Sequence, residues 1–116
     1  MKVIWMPIAK AELLSTARYI RKEFGISARI AFMERVHQAN TMLGFNPYIG
    51  KKEPLLEQLN EEYRSYVLNK INKIVYMVFD DHIKVYDFWD VRREPNYLVK
   101  NNPKNKYKQQ NKLLTF

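Results

Sequence analysis

Apolar positions change period twice along this chain, and the changes mark out its elements. Lys2 to Met6 is a short apolar run that predicts a strand. Pro7 stops it and suits the first turn of a helix, where a missing N–H costs nothing. From there Ala9, Leu13, Thr16/Ala17, Ile20 and Phe24 recur at helical spacing, with Lys10, Glu12, Arg18, Arg21, Lys22 and Glu23 between them. Gly25 is placed to end that helix in a left-handed conformation. Ser27 is a suitable N-cap for a second helix, whose Ala28, Phe32, Val36, Ala39 and Leu43 share one face. So short a connection forces the two helices into an antiparallel hairpin. The second helix ends near Gly44, and Asn46-Pro47 opens a turn that runs to Gly50.

Lys51 to Glu62 is polar, with Leu55, Leu56 and Leu59 embedded, and reads as a loop with room for one helical turn. The period then becomes that of strands. Tyr63 to Asn69, Lys73 to Asp80 and Ile83 to Asp90 are three runs rich in Val, Ile, Tyr and Phe. Their connections, Lys70-Ile71-Asn72 and Asp81-His82, are of hairpin length, so the runs form an antiparallel meander. The middle run is apolar on both faces and should be a central strand. The expected class is α+β: β-α-α-β-β-β, with the helical hairpin packed on a mostly antiparallel sheet.

The chain has 116 residues, 47% of them hydrophobic, which is enough for one domain with a real core. Beyond Pro95 the composition turns to Asn, Lys and Gln, so residues 1–98 are expected as the domain and 99–116 as a flexible basic tail. Leu113, Leu114 and Phe116 at its end are available to dock back or to meet a partner. Cysteine is absent, which excludes disulfides, thiolate metal sites and a thiol nucleophile. The chain shows no apolar run of the ~20 residues a membrane span needs, and no signal-peptide pattern, so a cytoplasmic protein without membrane contact is expected.

The formal net charge is +8. Five lysines and no acid follow Asn96; without them fifteen bases face twelve acids. The balance favours a polyanionic partner, nucleic acid or an acidic protein, while a solvated tail that aids solubility is the plainer alternative. There is no Gly-rich phosphate loop, and His37 and His82 stand alone, so no cofactor and no metal is expected.

What remains is a set of cations on the meander. Lys73 begins the middle strand, and Arg92 and Arg93 follow the last one, with Tyr97 close behind. Meander geometry returns the end of the last strand to the start of the middle one, so Lys73 should approach Arg92 and Arg93. Cations with a nearby phenol suit RNA backbone cleavage: they stabilise the charge growing on phosphorus, and a tyrosine can stack on a base or shuttle a proton. Arg64, Lys100 and Lys104 would hold the nucleic acid. Solvated strand ends are the ordinary alternative for such residues.

The order of short motifs resembles the RelE/ParE toxins. It runs through Val3-Ile4-Trp5, Ala9 to Leu13, Tyr19-Ile20, Gly25, Ala31-Phe32, Leu43, Asn46-Pro47 and Gly50. It continues with Tyr63-Arg64, Ile74-Val75-Tyr76 before Asp80-Asp81, Phe88-Trp89, and Arg92-Arg93-Glu94-Pro95. The resemblance covers about Lys2 to Leu98 and implies the same β-α-α-β-β-β fold. It implies a growth-arresting toxin neutralised by a cognate antitoxin. RelE-like members are ribosome-dependent mRNA endonucleases; Lys73 then stands where arginine is usual, Arg92 or Arg93 matches the arginine after the last strand, and Tyr97 the C-terminal tyrosine. Lysine there lacks the bidentate phosphate grip of arginine. ParE-like members instead poison DNA gyrase without chemistry of their own, and the long helical hairpin resembles theirs. A non-toxic basic binding protein is the third reading; the mRNA endonuclease is the expected one, because the chain supplies the cations and the phenol it needs.

Overall fold

The structure is a computed structural model that describes residues 1–56, 59 and 61–92. The elements are β1 (Lys2–Trp5), α1 (Pro7–Phe24), α2 (Ile26–Phe45), β2 (Lys51–Lys52), a 3-10 turn (Pro54–Leu56), β3 (Arg64–Val67), β4 (Asn72–Val78) and β5 (His82–Asp90). They form one five-stranded sheet in the order β1-β5-β4-β3-β2, with β1 parallel to β5 and every other pair antiparallel. The expected α+β class and the helical hairpin on a mostly antiparallel sheet are present. Among the described residues no helix is long and apolar enough to cross a membrane.

Two features differ from expectation. Gly25 alone joins the helices at φ 96°, so it ends α1 and also caps α2. Its N–H donates to the Arg21 carbonyl at 2.9 Å. Ser27 therefore sits inside the first turn of α2, which has no side-chain cap. The expected loop after Gly50 also contains a short strand. Lys51 and Lys52 pair with Ser65 and Arg64. Two lysines carry no apolar alternation, so this strand is specified by register with β3 and leaves no signal of its own.

The sheet is covered on both faces. On one, Ala9, Leu13 and Ala17 of α1 and Phe32, Val36, Ala39 and Leu43 of α2 pack on Ile74, Tyr76, Ile83, Val85 and Phe88. Phe32 meets Phe88 edge-on at 6.0 Å. Trp5 donates its indole N–H to Asn40 Oδ1 at 2.8 Å and so ties β1 to α2. On the other face, Met6, Val75, Tyr86 and Trp89 are covered by Leu56 and Tyr63 from the segment before β3. An extra residue in β5, at Tyr86, makes this possible: Val75 pairs with Asp87, but Tyr76 pairs with Val85. The bulge resets the alternation, so Val85 and Phe88 both face the helices while Tyr86 and Trp89 face away.

Candidate functional site

Of the cations singled out in the sequence, the three described ones, Lys73, Arg92 and Arg64, are each engaged by a different carboxylate. Lys73 is the second residue of β4 and pairs with Trp89. Ile74 and Tyr76 face the helices and Val75 faces away, so alternation puts Lys73 on the face remote from them. There its ammonium lies 2.6 Å from Oε2 of Glu53, a buried carboxylate. The Glu53 N–H in turn donates to the Tyr63 carbonyl at 2.8 Å. The pair thus fastens the covering segment onto the sheet.

Arg92 lies across the sheet from Lys73. It follows β5 directly, and Asp90 takes hydrogen bonds from its backbone N–H (2.8 Å), Nε (3.1 Å) and Nη2 (2.8 Å). That carboxylate raises the guanidinium pKa further above its ordinary value. Asp90 and Arg92 line a groove of about 530 Å³ with Tyr19 and Phe24 of α1 and Ile71 before β4. The strand ends meet as expected, with Asn72 opposite Asp90, but Lys73 is paired on the face remote from the helices while Arg92 lines the groove beside α1. In place of an approach to each other, Lys73 is paired with Glu53 and Arg92 with Asp90. Arg93, Tyr97, Lys100 and Lys104 lie outside the described residues, as does the tail 99–116.

Arg64 is engaged with its own fold. Its Nη1 donates to the Gly50 carbonyl at 2.8 Å, its Nη2 to Glu62 at 2.5 Å, and its guanidinium lies 4.9 Å from the centre of the Tyr48 ring. It belongs to a clamp that sequence reasoning missed. The Tyr76 hydroxyl donates to the Pro47 carbonyl at 2.7 Å and accepts from the Gly50 N–H at 2.9 Å. Burial raises the pKa of this hydroxyl, while the Gly50 hydrogen bond and the Arg64 charge oppose the rise. Gly50 is required by close approach: a Cβ there would stand 2.5 Å from the Ser65 carbonyl and 2.6 Å from the Tyr76 hydroxyl. The clamp holds Phe45, Tyr48 and Ile49 in solvent beside the exposed Lys51 and Lys52. The Asn46-Pro47…Gly50 spacing was its signal, legible as a turn but not as a fixed loop.

A second cavity of about 450 Å³, on the face remote from the helices, is lined by Lys52, Glu53, Glu61, Glu62 and Tyr63 together with leucines. Burial, with the nearby Tyr86 and Glu61, drives the Tyr63 hydroxyl far above its ordinary range.

Residues 3–99 match the family described as ParE toxin of type II toxin-antitoxin system, parDE. The chain belongs to this family and is the toxin of a type II toxin–antitoxin system. No curated protein matches the sequence. Solved structures share the fold. A chromosomal ParDE TA system from P. aeruginosa superposes with a TM-score of 0.64 at 15% identity, over 79% of this chain and 97% of that one. The YoeB dimer from Staphylococcus aureus gives 0.54 at 22% identity, over 77% and 94%. The YoeB/ParE toxin from Agrobacterium tumefaciens gives 0.54 at 17% identity, over 78% and 98%.

Proposed function

We propose that this toxin arrests growth by binding a protein target, with DNA gyrase as the candidate, rather than by cutting mRNA, and that a cognate antitoxin neutralises it. One observation carries the choice: Lys73 is committed to the buried Glu53 on one face of the sheet, while Arg92 is held by Asp90 on the other. Phosphoryl chemistry needs its cations aimed at one point, because each must act on the same developing charge. A binding toxin has no such requirement and relies on shape and exposed side chains. The helical hairpin and the clamped loop with Phe45, Tyr48 and Ile49 provide those.

A different observation favours the second reading, ribosome-dependent mRNA cleavage. Lys52 pairs across the sheet edge with Arg64, next to Lys51, which makes a basic edge suited to a phosphate backbone.

The two readings separate in a pair of assays on purified protein. The first reads gyrase supercoiling and cleavage-complex formation. The second reads mRNA integrity by primer extension in reconstituted translation. The expected result is loss of supercoiling, or accumulation of cleaved DNA, with mRNA intact. Ribosome-dependent cuts at A-site codons, with gyrase unaffected, would overturn the proposal and establish the nuclease.

A further inference from the structure

One groove keeps large apolar side chains in solvent. Helix α1 and the start of β4 enclose about 530 Å³ against Asp90 and Arg92. Of the lining residues, Phe24 is 70% exposed, Tyr19 58% and Ile71 39%. None of the three packs into either hydrophobic cluster of the core. Helical spacing sets Glu12 and Glu23 on the flank of α1 that carries Tyr19, seven residues before it and four after. Among the described residues that line the groove, Arg92 is the one cation, and Asp90 holds it. The groove is therefore apolar at its centre and acidic along α1.

The sequence that follows Arg92 supplies an occupant. Arg92 is a wall of the groove, and twenty-four residues come after it. Residues 100–116 lie beyond the match to the toxin family, which ends at 99. They carry five lysines and no acid, together with Leu113, Leu114 and Phe116. As a coil, a chain of about twenty residues reaches roughly 25 Å. Helix α1 is about 27 Å long, so the groove along it is within range. Tethering of this kind gives an effective concentration on the order of millimolar, so a contact too weak to hold two separate molecules suffices. Charge selects this groove over the other exposed aromatic patch. Phe45, Tyr48 and Ile49 stand beside Lys51, Lys52 and Arg64, which repel a lysine-rich segment, whereas Glu12 and Glu23 attract one.

We propose that the lysine-rich segment 100–116 folds back into this groove. Its Leu113, Leu114 and Phe116 cover Tyr19, Phe24 and Ile71, and its lysines lie along Glu12 and Glu23. The segment is then a tethered competitor: a macromolecule that uses this face of the toxin must first displace it. This does not depend on which target the toxin has.

The chain has no cysteine, so Thr115→Cys in the full chain gives one site for a nitroxide label. Loss of amide signals near the label, read by nuclear magnetic resonance, reports where the segment lies. The amides of Tyr19, Phe24 and Ile71 should lose most of their intensity, while those of Tyr48 and Lys51 keep theirs. A mixture of nitroxide-labelled chains with separate isotope-enriched, unlabelled chains should show no loss, because the contact is within one molecule. Phe24→Ser changes an exposed position and should restore the Tyr19 and Ile71 signals. The combination of Leu113→Ser, Leu114→Ser and Phe116→Ser should do the same, with β4 and β5 shifts unchanged in both. Loss spread evenly over the surface, or centred on another face, would overturn the proposal. So would loss in the mixture of separate chains, or loss indifferent to both sets of substitutions.

Discussion

The ammonium of Lys73 and the carboxylate of Glu53 meet at 2.6 Å across the face of the sheet that the helices do not cover. Glu53 is buried and Lys73 is largely so, which makes the two substitutions unequal to their sum. Lys73→Ala leaves a buried carboxylate without its cation and should cost about 3–5 kcal/mol of unfolding free energy. Lys73→Met with Glu53→Leu removes both charges and should recover much of that loss. Urea unfolding of the two single variants and the double variant measures the coupling. A Lys73→Ala cost below about 1 kcal/mol would mean that the pair is as weak as a surface ion pair.

The Tyr76 hydroxyl is the second fixed point. Tyr76→Phe keeps the ring in the core but removes the acceptor of the Gly50 N–H and the donor to the Pro47 carbonyl. The Gly50–Tyr76 bond is buried, so the change should cost about 1–3 kcal/mol. Gly50→Ala acts on the same clamp by steric overlap and should destabilise at least as much. Hydrogen exchange distinguishes a local from a global effect. Protection of the Gly50 amide should fall in Tyr76→Phe by more than that of the β4 and β5 amides. On the protein-binding reading, growth arrest should weaken along with the order of this loop.

The parts of the fold carried by periodicity were legible: both helices, the meander, the central position of β4, Pro7 at the first turn of α1, and the break at Gly25. What escaped depends on partners distant in sequence. Nothing in Lys51-Lys52 announces a strand, because its register comes from β3. The bulge at Tyr86 is masked because large residues fall on both faces of the strand around it, in Val85-Tyr86-Asp87-Phe88-Trp89. Glu53 sits in a polar stretch that reads as solvated, yet tertiary contact buries it under Lys73. For the site, sequence reasoning placed the strand ends of Lys73 and Arg92 side by side but not their faces. Each of the two cations answers to a carboxylate of its own, Glu53 and Asp90, and only the local Asp90–Arg92 pair has its partner nearby in sequence.

Stability should fall at alkaline pH, and the sign follows from three tyrosines. Tyr63, Tyr76 and Tyr86 are all raised above the ordinary 10.0, with burial the first cause for each. Glu61 adds repulsion at Tyr63 and Tyr86. In the unfolded chain these phenols ionise near their ordinary value, while in the folded chain they keep their protons. Above about pH 10 the unfolded state binds fewer protons, so stability drops as pH rises; below that window these groups contribute no pH dependence. Urea midpoints at about pH 8 and about pH 10.5 should differ in that direction. Tyr86→Phe should flatten the alkaline slope, and absorbance near 295 nm should show a fraction of phenols ionising only as the protein unfolds. A midpoint unchanged across this range would contradict the assigned burial.

Gly25 concentrates the geometry of the helical hairpin in one residue. At φ 96° and ψ 176° it occupies a region that side-chain-bearing residues rarely enter, yet a Cβ built on it finds nothing within 4 Å. The cost of Gly25→Ala is therefore one of backbone conformation alone, about 1–3 kcal/mol. It should also spread to function, because α1 and α2 have no other connection and the angle between them is set there. Asn tolerates positive φ better than Ala only near the left-handed helical region, and this ψ lies far from it, so Gly25→Asn should give little relief. Thermal unfolding of both variants measures this: the two should lose similar amounts of stability. Recovery in Gly25→Asn would instead place the residue in the left-handed helical well and make the turn an ordinary helix cap.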